Sequence, residues 1–196
     1  MTVPVYYFDT PDENTAKQIA NCIAPEETIR AVVCADNHLG YGHPIGVAVA
    51  YKDAVSVTGV GMDVGCGNAA VELNILNPGR EIVSRWVDAI ARDIHFGIGR
   101  SGDFRGANRD SIAAAISESK SPRVRGLLDL AVTQFGSVGS GNHYINVMVD
   151  KEQKIWLACH FGSRGFGHKI ATSFLKDAGA NDKDLYAPPV LLGVKS

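Results

Sequence analysis

The stretch NHYINVMVDKEQKIWLACHFGSRGFGHKIATSFLKDAG (142–179) decides the fold. Residues 142–150 and 154–161 read as two strands, and a short polar turn separates them. The second strand leads through closely spaced glycines into a helix that the pattern predicts over 167–179. Neighbouring strands followed by a helix predict a mixed α+β fold around one core.

The rest of the chain continues this mixture of strands and helices. Thr10 and Glu13 have the spacing of a capping box, with Pro11 in the first turn, which predicts an N-terminal helix. Valine-rich or alternating segments predict further strands over 29–38, 44–51, 54–61 and 71–76. Amphipathic segments predict helices over 79–94 and near 108–119 and 122–134. We find no repeat and no linker, so we predict one domain over residues 1–196.

Composition excludes several classes of protein. The chain has 196 residues, 45% of them hydrophobic and 20% charged, which is typical of a globular domain. The net charge of −2 gives no overall basic signature of the kind that many nucleic-acid binders have. No secretory signal and no membrane-spanning run is visible. We therefore predict a cytoplasmic protein with reduced cysteines and no membrane partner.

Three glycine-rich segments each carry a side chain that can bind a metal ion. The segment GVGMDVGCGNAA (59–70) contains Asp63 and Cys66, FGSVGSGNHYIN (135–146) contains His143, and HFGSRGFGH (160–168) contains His160. Thiolate and imidazole favour zinc-, iron- or manganese-type ions over calcium or magnesium, and a thiolate can bridge two ions. The alternative is a buried thiol with two hydrogen-bonded core histidines, but four such residues in separate glycine-rich loops favour metal binding.

Two segments also have the features of an anion site. The glycines after His160 should leave free N–H groups at a helix start, where Arg164 could hold a phosphate in bidentate fashion. The loop ADNHLGYGHP (35–44) contains His38. That loop either faces a phosphate or substrate, or forms an Asx-type turn with His38 packed. The sequence leaves both readings open.

Four segments in the same order resemble the signature stretches of the RtcB family. They are DNHLGYGHPIG (36–46), VGMDVGCG (60–67), GSVGSGNHYIN (136–146) and HFGSRGFGH (160–168). Members of the family are RNA ligases that use GTP and manganese to join RNA 2′,3′-cyclic phosphate or 3′-phosphate ends to 5′-hydroxyl ends. The resemblance implies the N-terminal portion of an RtcB-like catalytic domain.

Carried over by position, the resemblance implies two Mn²⁺ ions bridged by Cys66. Asp63, Cys66 and His143 would hold the first ion, and His160 would bind the second with Cys66. The resemblance also implies a nucleotide-binding segment and phosphate or RNA contacts. The nucleotide segment comprises Asn142, His143, Tyr144, Ile145 and Asn146, and the phosphate or RNA contacts comprise Arg164, Ser163 and His38.

The family's guanylylated histidine and one further metal-binding histidine have no match before Ser196. We therefore expect a chain truncated at its C-terminus that can hold metal but contains no catalytic nucleophile. The expected partners are GTP, RNA ends from tRNA splicing or RNA repair, and an activating protein. Two alternatives remain: a dinuclear metal-dependent phosphoesterase, or a non-catalytic truncated paralogue that binds RNA ends.

Overall fold

The structure is a computed structural model that describes residues 2–102, 105–180 and 184–194. The described residues form both helices and strands, which confirms the α+β prediction. They separate into two compact units. Unit 1 comprises residues 1–62 and 171–196, and unit 2 comprises residues 63–170. The prediction of a single domain stays a prediction.

Unit 1 contains a three-stranded sheet and a two-stranded sheet. Strand β1 (Val5–Tyr7) lies parallel to β2 (Thr28–His38), which pairs in antiparallel fashion with β3 (Ile45–Tyr51). Strand β4 (Ala54–Ser56) pairs with β8 (Leu191–Gly193). Helix α1 (Glu13–Ile23) buries Ile19 and Cys22 together with the polar Thr15 and Gln18. Strand β2 contributes the buried Ala31 and Val33, so the core of this unit contains both apolar and polar side chains.

The start of α1 corrects the predicted capping box. Asp12, not Thr10, is the N-cap residue, and its carboxylate accepts hydrogen bonds from the backbone N–H and the hydroxyl of Thr15. These bonds lower the pKa of Asp12. Asp12 is a preferred N-cap residue in its own right, and it satisfies one of the N–H groups that the first turn leaves free.

Unit 2 contains a three-stranded antiparallel sheet and most of the helices. The sheet has the order β5 (Gly67–Leu76), β7 (Lys154–Phe161), β6 (Tyr144–Val149). The helices of this unit are α2 (Arg80–Asp93), α3 (Ala107–Ser117), α4 (Pro122–Arg125) and α5 (Leu128–Gln134). Helix α6 (Arg164–Asp177) begins in unit 2, and the boundary between the units falls within it at residue 170.

Several predicted boundaries are wrong for local reasons. The strand predicted over 54–61 ends at Ser56, because the Ser56 hydroxyl accepts a hydrogen bond from the Gly59 N–H and so favours a turn. The helix predicted over 122–134 divides at Gly126, whose N–H closes the single turn of α4 on Pro122.

Two elements are longer than the sequence indicates. Strand β5 begins at Gly67, inside the glycine-rich motif, because β7 provides a neighbouring strand for it to pair with. Helix α6 begins at Arg164, three residues early, so Gly165 and Gly167 lie in its first turn rather than in a loop. In both cases a tertiary contact overrides the local signal that glycine gives.

No helix within residues 2–102, 105–180 and 184–194 is both long enough and apolar enough to cross a bilayer.

Candidate metal and nucleotide site

A tight turn places Asp63 and Cys66 at the entry to β5. The Cys66 N–H donates to the carbonyl of Asp63 at 3.1 Å, and the intervening Gly65 has φ of +89°. A positive φ of this size favours glycine, so the glycine content of the motif serves the turn itself. The Cys66 thiol is exposed. Both predicted ligands of this motif therefore lie at the start of one strand.

The Asp63 carboxylate joins two distant segments. Its Oδ1 accepts hydrogen bonds from the Ser163 N–H at 2.9 Å and from the Ser163 hydroxyl at 2.6 Å. The Nε2–H of His143 donates to Oδ2 at 2.9 Å. Partial burial raises the pKa of Asp63, but the bonds from Ser163 and His143 outweigh this effect and lower it overall. The carboxylate is therefore an ionised acceptor at neutral pH.

The two predicted histidine ligands lie side by side. The rings of His143 and His160 have centroids 5.0 Å apart. The Nδ1–H of His160 donates to the Gly67 carbonyl at 3.0 Å, because a carbonyl can only accept. This bond leaves the Nε2 lone pair of a neutral His160 available to a ligand, which is the usual arrangement of a metal-binding histidine.

Glycines leave the space that these side chains occupy. A Cβ added at Gly162 would lie 2.6 Å from Cε1 of His143 and 3.2 Å from Oδ2 of Asp63. A Cβ added at Gly139 would lie 2.5 Å from Nδ1 of His143. Since real Cβ atoms do not approach other atoms so closely, these two positions need glycine for a steric reason.

The residues fit a metal ion in part. Among the described residues no three His, Cys, Asp or Glu side chains converge closely enough to hold one. However, Asp63 Oδ2 and His143 Nε2 are 2.9 Å apart, close to the roughly 3 Å expected between neighbouring ligand atoms that each lie about 2.1 Å from one ion. Binding would displace the proton that these two atoms share.

The contact between His143 and Asp63 does not satisfy both nitrogens of the imidazole ring. The buried Nδ1 of His143 has no hydrogen-bond partner within the described residues. An unpaired buried ring nitrogen is costly, so the pair of His143 and Asp63 is not a fully satisfied core contact. The chemistry of the donors, carboxylate, imidazole and thiolate, suits a transition metal.

The predicted nucleotide segment runs from a turn into β6. Tyr144 is the cross-strand partner of His160, with ring centroids 6.0 Å apart. Because side chains alternate along a strand, Asn146 shares the face of Tyr144, whereas Ile145 shares the opposite face with its partner Cys159. Asn142 is exposed in the preceding turn. The nucleotide-binding role of this segment stays a prediction.

The start of α6 differs from the expected anion site. The Ser163 N–H is bonded to Asp63 and the Gly165 N–H to Oε1 of Gln134, so these two groups are not free. Arg164 is directed inward: its Nε donates to the Ser137 hydroxyl at 3.0 Å and its Nη2 to the Gly97 carbonyl at 2.6 Å. Burial lowers the pKa of Arg164. Phosphate contacts of Ser163 and Arg164 stay predictions.

His38 lies in unit 1, at the end of β2. Its side chain is exposed, and its Nδ1–H donates to the carbonyl of Asp36 at 2.7 Å. Of the two readings of this loop, the packed histidine is therefore wrong. A phosphate or RNA contact by His38 stays a prediction.

An apolar cavity of about 720 Å³ lies within unit 2. Ile112 and Ile116 of α3, together with Ile145 and Cys159 of the sheet, contribute to its wall. Gly162 and Ser163 also line it, so the cavity reaches the back of the loop that contacts Asp63.

Sequence reasoning missed Gln134 and the partner of Ser163. Gln134, which is 7% exposed, accepts a hydrogen bond from the Gly165 N–H. Ser163 was predicted as a phosphate or RNA contact, but its hydroxyl donates to Asp63 across 100 residues of chain. No local pattern identifies a partner at such a separation.

Comparisons with known proteins all identify relatives of one kind. The sequence model of the family described as tRNA-splicing ligase RtcB matches residues 18–125 and 118–189, which contain every site residue named above. The chain is 26% identical to the tRNA-splicing ligase RtcB of Archaeoglobus fulgidus, with 90% of this chain and 47% of the relative covered.

Two further relatives give the same result. The chain is 28% identical to the tRNA-splicing ligase RtcB of Thermococcus kodakarensis, over 84% of this chain and 44% of the relative. It is 31% identical to the RNA-splicing ligase RtcB of Escherichia coli K12, over 73% of this chain and 38% of the relative. The chain spans about half the length of the curated relatives it matches, or less.

Proposed function

The chain belongs to the RtcB family of RNA ligases, and we propose that its unit 2 supplies the metal-binding part of a GTP- and manganese-dependent ligase. The reaction would join an RNA 2′,3′-cyclic phosphate or 3′-phosphate end to a 5′-hydroxyl end. The observation that carries the proposal is the contact between the Asp63 carboxylate and His143, two predicted ligands from segments 80 residues apart.

Four residues would hold the metal. Asp63 and His143 would bind one ion through the two atoms that now share a proton, and Cys66 would complete its set from the same turn as Asp63. His160 would bind a second ion through Nε2, with the Cys66 thiolate shared by both ions. Bound manganese would stabilise negative charge on the phosphoryl oxygens.

The protein's own groups prepare this site. Ser163 fixes the Asp63 carboxylate, and the Gly67 carbonyl fixes the tautomer of His160. The segment 142–146 lies directly beside these ligands, because it contains His143 and its Tyr144 is the cross-strand partner of His160. We propose that this segment contacts the guanine nucleotide, with the exposed Asn142 and Asn146 as its hydrogen-bonding side chains.

The RNA contacts and the surroundings of the reaction are also part of the proposal. RNA ends from tRNA splicing or RNA repair would be the substrates, in the cytoplasm, and an activating protein is an expected partner. His38 remains a proposed phosphate contact. The hydroxyl of Ser163 donates to Asp63, and the guanidinium of Arg164 donates to Ser137 and Gly97, so both side chains are engaged within the protein.

The proposal is tested with the chain as it stands and GTP labelled at the α-phosphate. The chain should bind manganese in a calorimetric titration. Asp63→Asn and the control Asp129→Asn each remove one negative charge, and only Asp63→Asn should lose affinity for manganese if the ion binds at the proposed site. Asp129 is a suitable control because it lies in the first turn of α5, outside the ligand set.

The outcomes separate the competing functions. Joining of a 3′-phosphate RNA to a 5′-hydroxyl RNA, with a GMP adduct on protein, would support a ligase that acts alone. Manganese binding without a GMP adduct and without RNA joining would support a chain that supplies only the metal-binding part of a ligase. Metal-dependent hydrolysis of phosphate esters would indicate the phosphoesterase instead, and absence of manganese binding would contradict the proposal.

A further inference from the structure

Ser163 directs both of its hydrogen-bond donors, the backbone N–H and the hydroxyl, to one oxygen atom. Its backbone N–H lies 2.9 Å from Oδ1 of Asp63 and its hydroxyl lies 2.6 Å from the same atom. A serine residue has one N–H and one O–H to donate. With both engaged on Asp63, Ser163 has no donor left for a phosphate oxygen, which can only accept.

These two bonds determine how the carboxylate is presented. The terminal torsion of an aspartate side chain is broad, so a free carboxylate samples many orientations. Anchoring Oδ1 by two donors from one residue directs Oδ2 towards His143, whose Nε2 is 2.9 Å away. The atom that would bind metal is therefore the one that Ser163 leaves free.

The position of Ser163 is itself fixed by its surroundings. Its carbonyl accepts from the Gly167 N–H at 3.2 Å, and the neighbouring Gly165 N–H donates to Gln134 at 2.8 Å. A Cβ at Gly167 would overlap both the Ser163 hydroxyl and the Val64 carbonyl. The glycine at 167 thus leaves the space that the serine hydroxyl needs in order to reach Asp63.

We propose that Ser163 is a positioning residue that holds the metal-binding carboxylate of Asp63 in its ligand orientation, rather than a contact to RNA phosphate. The proposal rests on the proposed metal site. Gly162 and Ser163 would then serve to arrange the ligands of the first ion. It also predicts that losing the hydroxyl weakens metal binding before any RNA or nucleotide is present.

The test compares Ser163→Ala with the wild-type chain by calorimetric titration with MnCl₂ alone. The alanine variant should bind manganese about 10- to 100-fold more weakly, the usual effect of removing a group that orients a metal ligand. The variant Ser117→Ala is the matched control, because the Ser117 hydroxyl donates only to the Ala113 carbonyl of its own helix. It should keep wild-type affinity.

Cobalt provides a second readout. Co²⁺ bound by the alanine variant at saturating concentration should keep the absorption band of a thiolate ligand, because Cys66 is untouched, while the ligand-field bands change with the loosened carboxylate. Ser163→Thr restores a hydroxyl and should return the manganese affinity close to the wild-type value. If the alanine variant does not fold, as judged by circular dichroism, the threonine variant decides the question.

The proposal is overturned if folded Ser163→Ala binds manganese as tightly as the wild-type chain. It is also overturned if folded Ser163→Thr loses tenfold or more in affinity, about the lower limit expected for loss of the positioning group itself. Either result leaves the metal site standing. Failure of the wild-type chain to bind manganese would instead contradict the proposed function, and this inference with it.

Discussion

The substitution Gly162→Ala tests the packing of the candidate site most sharply. Gly162 links β7 to α6, and its φ lies outside the positive region, so alanine meets no backbone strain there. The added methyl carbon would lie 2.6 Å from Cε1 of His143, whereas carbon atoms in contact lie about 3.5 to 4.0 Å apart. We expect the His143 ring to move by about 1 Å, which is the shortfall between these two separations.

That movement sets the size of the effect. A shift of this kind lengthens the 2.9 Å bond between His143 and Asp63 towards the limit of a hydrogen bond. Overpacking costs about 1–3 kcal/mol, and loss of the bond adds about 0.5–1.5 kcal/mol. We predict that Gly162→Ala lowers the free energy of unfolding by about 1.5–4.5 kcal/mol and weakens manganese binding.

Urea unfolding followed by circular dichroism measures the free energy of unfolding, and calorimetric titration with MnCl₂ measures the affinity for manganese. Gly126→Ala is the matched control. Gly126 has φ of −65°, and its added Cβ would lie 3.4 Å from the Pro122 carbonyl, an ordinary contact. The control should be neutral or stabilised by up to about 1 kcal/mol. If Gly162→Ala behaves like Gly126→Ala in both assays, the steric account of this glycine is wrong.

Three further predictions concern the Cys66 ligand, the core of unit 2 and the N-cap of α1. Cys66→Ala should abolish binding of both manganese ions, as measured by elemental analysis. The control Cys34→Ala, which removes another exposed thiol, should keep both ions. Two equivalents of manganese on the Cys66→Ala variant would exclude a bridging thiolate. Ile155→Ala should lower the free energy of unfolding in urea by about 2–5 kcal/mol, because Ile155 is 0% exposed. The control Val71→Ala, at a position that is 57% exposed, should lower it by no more than about 0.5 kcal/mol. Equal losses of stability in the two variants would contradict the assigned core. Asp12→Ala should lower the thermal midpoint at neutral pH. Because the native pKa of Asp12 is lowered, the ionised cap stabilises the fold fully above pH 3.8, and this stabilisation is lost as the pH falls through the lowered native pKa. A difference between the variant and the wild-type chain that persists once the carboxylate is protonated would refute the cap.

The sequence predicted those features that depend on local pattern. Alternation in 142–150 and 154–161 identified β6 and β7, and amphipathic spacing identified α2. The candidate ligands could also be found, because each lies in a glycine-rich segment whose composition is unusual. The structure places two of them, Asp63 and His143, in hydrogen-bond contact.

Features that depend on distant partners could not be predicted in the same way. Strand β5 extends into the glycine-rich motif only because β7 pairs with Gly67. The inward direction of Arg164 depends on Ser137 and Gly97, which local sequence does not connect with it. The same holds for Ser163, whose donors would be free at an isolated helix start but are taken by a carboxylate 100 residues away.

The central claim is that Asp63, Cys66, His143 and His160 form a manganese site. The most direct measurement is an anomalous difference map from crystals of the chain soaked in MnCl₂, recorded on the high-energy side of the manganese absorption edge. We predict a peak between the Asp63 carboxylate and the His143 ring, within bonding distance of the Cys66 sulfur. A map without a peak there, from crystals in which manganese is bound elsewhere or not at all, would contradict the account.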